Sequence, residues 1–398
     1  MRITDIRFAL LGESPIVRVI SDEGVDGFSQ MEPTKAFLRG IMPVYRDQLI
    51  GADPTNVAGC IRKVRRLGGF KPWGAVVSAI EIALWDLAGK AAGLPVHQLL
   101  GGRLRDRVRV YDGGRRWVTD EDTPEAFAKS VRIMAEAEEG FTIVKETGGY
   151  HGPQARDFAA RGLAGNRPPG PWWPDRGPVG ERAIAHVVDC VTAMKEALGD
   201  RVALALDLGP GWMLSDAIRV LRALERFNLL WAEDLITGDY VPWNDVGQYR
   251  ELTTSTTTPV HTGEQIYLRD NFVELIERQA VRVIGPDPAD VGGLAELKWI
   301  AEFADLHGIM VAPHGFWNGL LGLAAHVQLA ATLPDNFIAF EYPVPSEDWW
   351  YDLLDGLPNP LVVDGFIQVW QGPGLGVRID PEVAAVHLAP GDGGFFDP

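Results

Sequence analysis

From about Arg105 onward one pattern recurs: a short β-rich apolar run, a loop with a polar or charged residue, then an amphipathic helix. The strand candidates are VRVYD (108–112), FTIVKET (141–147), VALALD (202–207), LLWAED (229–234), PVHTGE (259–264), VRVIGPD (281–287), IMVAPH (309–314) and FIAFEY (337–342). Helical patterns such as ERAIAHVVDCVTAMKEAL and LAELKWIAEFADLHG lie between them. Eight strand–helix units over about 240 residues is the arithmetic of a (β/α)8 barrel. A doubly wound open sheet carries fewer strands and a glycine-rich phosphate fingerprint after the first, and no GxGxxG occurs here.

The flanks differ. Residues 2–10 and 15–20 alternate or run β-branched, which predicts antiparallel strands, with Gly24–Gly27 as punctuation. From Lys35 to Leu100 the texture is helical, most clearly in SAIEIALWDLAGKAAG, with Gly93 as its stop. This predicts an α+β domain over 1–104, a barrel over 105–359 and a carboxyl-terminal return over about 360–398, where LVVDGFIQVWQGPGLGVRID reads as a hairpin and not as a ninth barrel unit. The Gly/Pro-rich stretch Gly148–Gly180, with Trp172 and Trp173, exceeds an ordinary βα loop and is a candidate lid.

Charge and cysteine content narrow the partners. A net charge of −17 with no basic block repels phosphate backbones and anionic headgroups, so neither nucleic acid nor membrane is expected. Two cysteines, Cys60 and Cys190, form no CxxC pair and offer no disulfide framework. The start MRITDIRFALLGESPIV is interrupted by Asp5, Arg7 and Glu13, unlike a signal segment, and no run approaches the ~20 apolar residues of a membrane span. A cytoplasmic chain assembling as a homo-oligomer is the expectation.

Barrel enzymes place reactive groups at the carboxyl ends of their strands. Here strands three to eight end in Asp207, Glu233, Glu264, Asp287, His314 and Glu341, at spacings of about 26, 31, 23, 27 and 27 residues, so these side chains should converge on one mouth. A single strand-terminal acid is ordinarily a cap or a loop ion pair. Three consecutive ones at barrel period, Asp207, Glu233 and Glu264, form a hard-oxygen site suited to Mg²⁺. Asp234 follows Glu233 and leaves a one-position ambiguity. Asp287 and His314 end neighbouring strands, so the carboxylate can orient the imidazole and leave its other nitrogen as a general base. His261, His307 and His326 read as structural.

On these residues the chain resembles the enolase superfamily, mandelate racemase/muconate lactonizing enzyme type. The resemblance runs from ITDIRFAL through AIEIALWDLAGKAAGLPVHQLLGG to GPGLGVRID. It implies a (β/α)7β barrel under an α+β capping domain, with Asp207, Glu233 and Glu264 as Mg²⁺ ligands, Asp287 and His314 as the dyad, and Glu341 hydrogen-bonded to the substrate carboxylate. The family commonly has Lys-x-Lys on strand two, whereas this chain reads Lys145-Glu146-Thr147. Lys145 and Thr147 should point into the barrel and Glu146 out; Lys145 lies one layer deeper but is a catalytic candidate through the reach of its long stem, and Thr147 is a candidate to contact substrate. Threonine cannot abstract a carbon-bound proton, so a symmetric two-base racemase is not expected. Tyr150 and His151 in the following loop are candidates to contact substrate.

The implied chemistry is removal of the proton α to a carboxylate, with Mg²⁺ stabilising the enediolate. One base on one face favours elimination, making the expected substrate a sugar acid and the product a 2-keto-3-deoxy acid. A lactone or anhydro-sugar cycloisomerase, or an epimerase, uses the same metal residues. A metal-stabilised binding scaffold would have no need of His314 beside Asp287.

Overall fold

The computed structural model describes residues 1–68, 73–114, 121–149, 179–236, 245–315, 319–343 and 349–398. At the amino end β1 (Ile3–Leu11), β2 (Ser14–Ser21) and β3 (Asp26–Gln30) form an antiparallel sheet. Helices α1 (Met42–Leu49), α2 (Val57–Gly68) and α3 (Gly74–Ala92) complete this layer. The stretch expected to be punctuation is thus partly a third strand. Gly27 is required there because a Cβ would lie 2.0 Å from the Ala83 carbonyl oxygen of α3, so only glycine lets strand and helix approach this closely. Gly93 ends α3 at φ 67°, a left-handed conformation that glycine adopts without strain.

After α4 (Val96–Leu99) come the eight parallel strands β4 (Arg107–Asp112), β5 (Ile143–Thr147), β6 (Ala203–Asp207), β7 (Ala232–Glu233), β8 (Val260–Thr262), β9 (Val283–Ile284), β10 (Met310–Val311) and β11 (Phe340–Tyr342). Their order is sequential, with β11 beside β4. Closure comes from a parallel bridge between Val311 and Phe337 and from Ile338 N donating to Val311 O at 2.9 Å. The intervening helices are α5 (Pro124–Ala135), α6 (Glu181–Leu198), α7 (Leu214–Leu224), α8 (Val246–Thr254), α9 (Asp270–Glu277), α10 (Leu294–Leu306) and α11 (Gly319–Ala330). Among the described residues, eight strands with seven helices between them make a (β/α)7β barrel.

The lumen is filled by Tyr111, Ile143, Ala205, Trp231, Val283, Ala312 and Ala339. Side chains on a strand repeat their facing every two residues. The residues two beyond these, Lys145, Asp207, Glu233, His314 and Glu341, therefore face the same axis one level nearer the mouth.

The capping layer docks on the loop after β9. Glu81 of α3 accepts Leu294 N at 2.8 Å and Ala295 N at 3.0 Å, supplying from outside the acceptors that the first turn of α10 lacks. Ser78 Oγ accepts Gly292 N at 2.9 Å. At the carboxyl end, β13 (Phe366–Gln368) lies antiparallel on β4, while β12 (Leu354–Asp355) pairs with β14 (Arg378–Ile379). Further on, Leu388 bridges to Leu11, and Arg7 and Arg18 donate to the Asp397 carbonyl. No described helix is long and apolar enough to cross a membrane.

Candidate active site

The dyad is formed: His314 Nδ1 lies 2.7 Å from Asp287 Oδ2. With Nδ1 held by the carboxylate, Nε2 faces the mouth, 3.5 Å from Glu264 Oε2 and 3.7 Å from Glu341 Oε2. Burial opposes charge on the imidazole, but Glu264, Asp287 and Glu341 outweigh it and raise the His314 pKa well above the usual histidine range. Asp287, also buried, is nonetheless held below the usual carboxylate range by His314.

Lys145 reaches the same centre. Its Nζ sits 2.9 Å from Glu233 Oε1 and 3.3 Å from Glu341 Oε1, all three side chains being buried. Burial works against the ammonium, and the two glutamates more than reverse that, so its pKa lies well above the lysine range. Glu341 is pushed up to about 7, chiefly by burial, with Lys145 and His314 pulling the other way. Its Oε2 has no hydrogen-bond partner among the described residues. Glu341 thus stands between Lys145 and His314.

The expected ligand trio is brought together in part. Carboxylate oxygens of Glu233, Asp234 and Glu264 lie within 4.8 Å of one another, an oxygen-only group that fits a hard divalent cation. Asp207 is not in that group. It ends β6 in register with Glu233, accepts Gly209 N at 3.0 Å and adds to the negative field on Lys145. Asp234, at φ 51°, accepts a short hydrogen bond from Thr262 Oγ1, which also contacts the Tyr249 hydroxyl on α8.

Glu146 points away from the lumen as expected, but it is buried beneath α5, bonded to Ser130 Oγ, and burial raises its pKa to about 7. It also captures Thr147, whose backbone N–H donates to Glu146 Oε1 at 2.8 Å and whose hydroxyl lies 3.3 Å from the same oxygen. Thr147, expected to share the inward facing of Lys145, therefore turns its hydroxyl to its neighbour. Tyr150, His151, Trp172, Trp173 and most of the candidate lid lie outside the described residues.

Several wall residues are not expected from the sequence. His261, expected to be structural, stacks on Trp231 and places Nδ1 3.5 Å from Glu233 Oε2, while Trp231 Nε1 donates to that oxygen at 2.9 Å. The signal that could have found Trp231 is its place two residues before Glu233 in the same apolar run, LLWAED. The capping layer adds Glu32, whose carboxylate falls within 4.8 Å of the dyad atoms, and Lys35, buried 2.9 Å from Glu32 and 2.5 Å from Asp290.

Comparison with known proteins agrees with this architecture. Residues 12–101 match the mandelate racemase / muconate lactonizing enzyme N-terminal domain, and 127–383 match the enolase C-terminal domain-like model. The chain belongs to the mandelate racemase/muconate lactonizing enzyme family of the enolase superfamily. A D-xylonate dehydratase of Haloferax volcanii is 33% identical over 407 aligned residues, covering 98% of this chain and 90% of that protein. A D-galactonate dehydratase of Variovorax paradoxus is 28% identical, covering 92% and 88%. The crystal structure of a mandelate racemase/muconate lactonizing enzyme-like protein from Rubrobacter xylanophilus superposes with a TM-score of 0.82 at 31% identity, over 98% of this chain and 97% of that one. This family member thus shares its two-layer plan with a solved relative along nearly its whole length.

Proposed function

We propose that this family member is a Mg²⁺-dependent sugar-acid dehydratase, a lyase that converts an aldonic acid into its 2-keto-3-deoxy acid. The observation that carries the reading is the asymmetry between the two nitrogen bases. His314 is oriented by Asp287 with one nitrogen toward the mouth, whereas Lys145 is locked between Glu233 and Glu341 in its ammonium form. One side chain is thus arranged for proton transfer and the other for charge stabilisation.

Glu233 and Glu264 would hold the ion together with Asp207. Asp207 is preferred to Asp234 because it ends a strand in register with Glu233, while Asp234 is engaged by Thr262. Mg²⁺ there would supply Lewis-acid stabilisation for negative charge on the substrate carboxylate. With Glu264 engaged in holding the ion, its pull on the imidazole proton would weaken and His314 Nε2 would take the α-proton, Asp287 would stabilise the resulting imidazolium, and the Lys145 ammonium would face the developing enediolate. The same imidazolium then returns its proton to the departing β-hydroxyl, so that water leaves and the enol tautomerises to the keto acid. Glu341, its pKa near 7, is suited to hydrogen-bond the substrate carboxylate in its protonated form.

The named relatives make D-xylonate and D-galactonate the first acids to test. Incubation of an acid-sugar panel with the enzyme and Mg²⁺ should yield a 2-keto-3-deoxy acid from at least one member. Interconversion of epimers without loss of water would replace this reading with epimerisation.

A further inference from the structure

Behind the carboxyl end of β5, outside the lumen, three donors of different chemistry meet. His186 and Cys190 are four residues apart on α6 and share one face of it. Asp122 immediately precedes Thr123, the residue that caps α5 by accepting Ala126 N. His186 Nε2 lies 2.7 Å from Asp122 Oδ1 and 3.5 Å from Cys190 Sγ, and the three donor atoms fall within 4.8 Å of one another. Asp122 and Cys190 are buried and His186 is half-buried. None of the three takes part in the chemistry proposed above.

His186 Nε2, Asp122 Oδ1 and Cys190 Sγ bring one N, one O and one S donor to a single point, the mixed set that a tetrahedral transition ion takes. A tetrahedral ion takes N, O and S donors at about 2.0–2.3 Å, which sets those donors roughly 3.3–3.7 Å apart. The His186–Cys190 separation already matches, and the Asp122–His186 contact need open only by about half an ångström. The cluster lines a small cavity of about 20 Å³ that reaches Thr147, Gly148 and Gly149, room for one water-sized ligand at the fourth position.

We propose that Asp122, His186 and Cys190 form a second metal site, for Zn²⁺ or a similar borderline divalent transition ion. Imidazole and thiolate select such an ion against Mg²⁺, which belongs with the oxygen-only group in the lumen. Binding takes Cys190 as the thiolate and releases its proton to solvent. The ion clamps the segment entering α5 onto α6 and so supports the strand end that carries Lys145.

Cobalt titration of chelator-stripped protein in excess Mg²⁺ tests this. One equivalent per chain should produce thiolate-to-cobalt charge-transfer absorption, which carboxylates cannot give, and Zn²⁺ should displace it. Cys190→Ser should abolish the absorption, and Asp122→Asn, which keeps its shape, should retain it with affinity lowered about tenfold or more, 1.4 kcal/mol per tenfold. Zn²⁺ should raise the unfolding temperature of the parent but not of Cys190→Ser. Absence of the band in the parent overturns the site. So does a band surviving in Cys190→Ser, which would place it on Cys60, or an affinity unchanged in Asp122→Asn.

Discussion

Lys145 Nζ stands 2.9 Å from Glu233 Oε1, although 88 residues separate the two in the chain. The contact puts a buried cation against a carboxylate proposed to hold Mg²⁺. Lys145 therefore offsets negative charge that would otherwise accumulate between Glu233 and Glu341 when no ion is bound. Lys145→Met keeps the stem volume and removes the amine. Turnover should fall by about tenfold or more, as for loss of a charge-stabilising group. Deuterium from solvent should still enter the α-position of one epimer only, read by proton NMR with each epimer supplied separately. Exchange into both epimers by the parent, lost in Lys145→Met, would make Lys145 a second base.

His314→Asn should abolish that exchange, by on the order of 10²-fold or more, because no other described histidine presents a mouth-facing nitrogen oriented by a carboxylate. Asp287→Asn should also impair it, since the imidazole loses the partner that fixes its tautomer and supports its charge. The readout is single-turnover exchange in deuterium oxide, which separates proton abstraction from water loss. Full exchange in His314→Asn would reverse the roles assigned to His314 and Lys145.

The third metal ligand separates two neighbouring acids. Asp207→Asn should weaken Mg²⁺ binding by at least about tenfold, or 1.4 kcal/mol, measured by calorimetry on folded protein. Asp234→Asn should act mainly on stability, because its Thr262 partner lies on the α8 side of the sheet. The opposite ranking would move the ligand set to Glu233, Asp234 and Glu264, the group whose oxygens are already close.

The convergence of Asp207, Glu233, His314 and Glu341 is legible in the sequence because a barrel repeats one unit and a strand repeats its facing every two residues. Both periods are local properties of a chain. Lys145 is legible in direction for the same reason, and its reach follows from a long stem. What does not show is whatever depends on contacts between distant segments. The Lys35–Asp290 ion pair spans 255 positions, and no periodicity announces it. Thr147 departs from its expected facing because its hydroxyl turns to Glu146, a carboxyl that the packing of α5 buries beside it.

The carboxyl-terminal return has its own titratable fastening. Asp392 accepts Arg39 Nη1 and Nη2 at 2.6 and 2.5 Å and Leu10 N at 2.9 Å, tying the last residues to the capping layer. Burial raises its pKa, but the Arg39 and backbone hydrogen bonds prevail and hold it below the ordinary aspartate value. A carboxylate depressed in the folded state contributes stability above its unfolded pKa, about 3.9, and loses that contribution as pH falls through the lower folded value. Asp392→Asn should therefore destabilise the protein at neutral pH by about 1–2 kcal/mol, a modest range because solvent at the partly exposed Arg39 screens the pair. The difference from the parent should shrink on acidification below about pH 4, where the parent's own carboxylate is being protonated. Thermal unfolding of both proteins between neutral and acid pH checks the sign. A gap that widens toward low pH would show that Asp392 is fastened by something other than its charge.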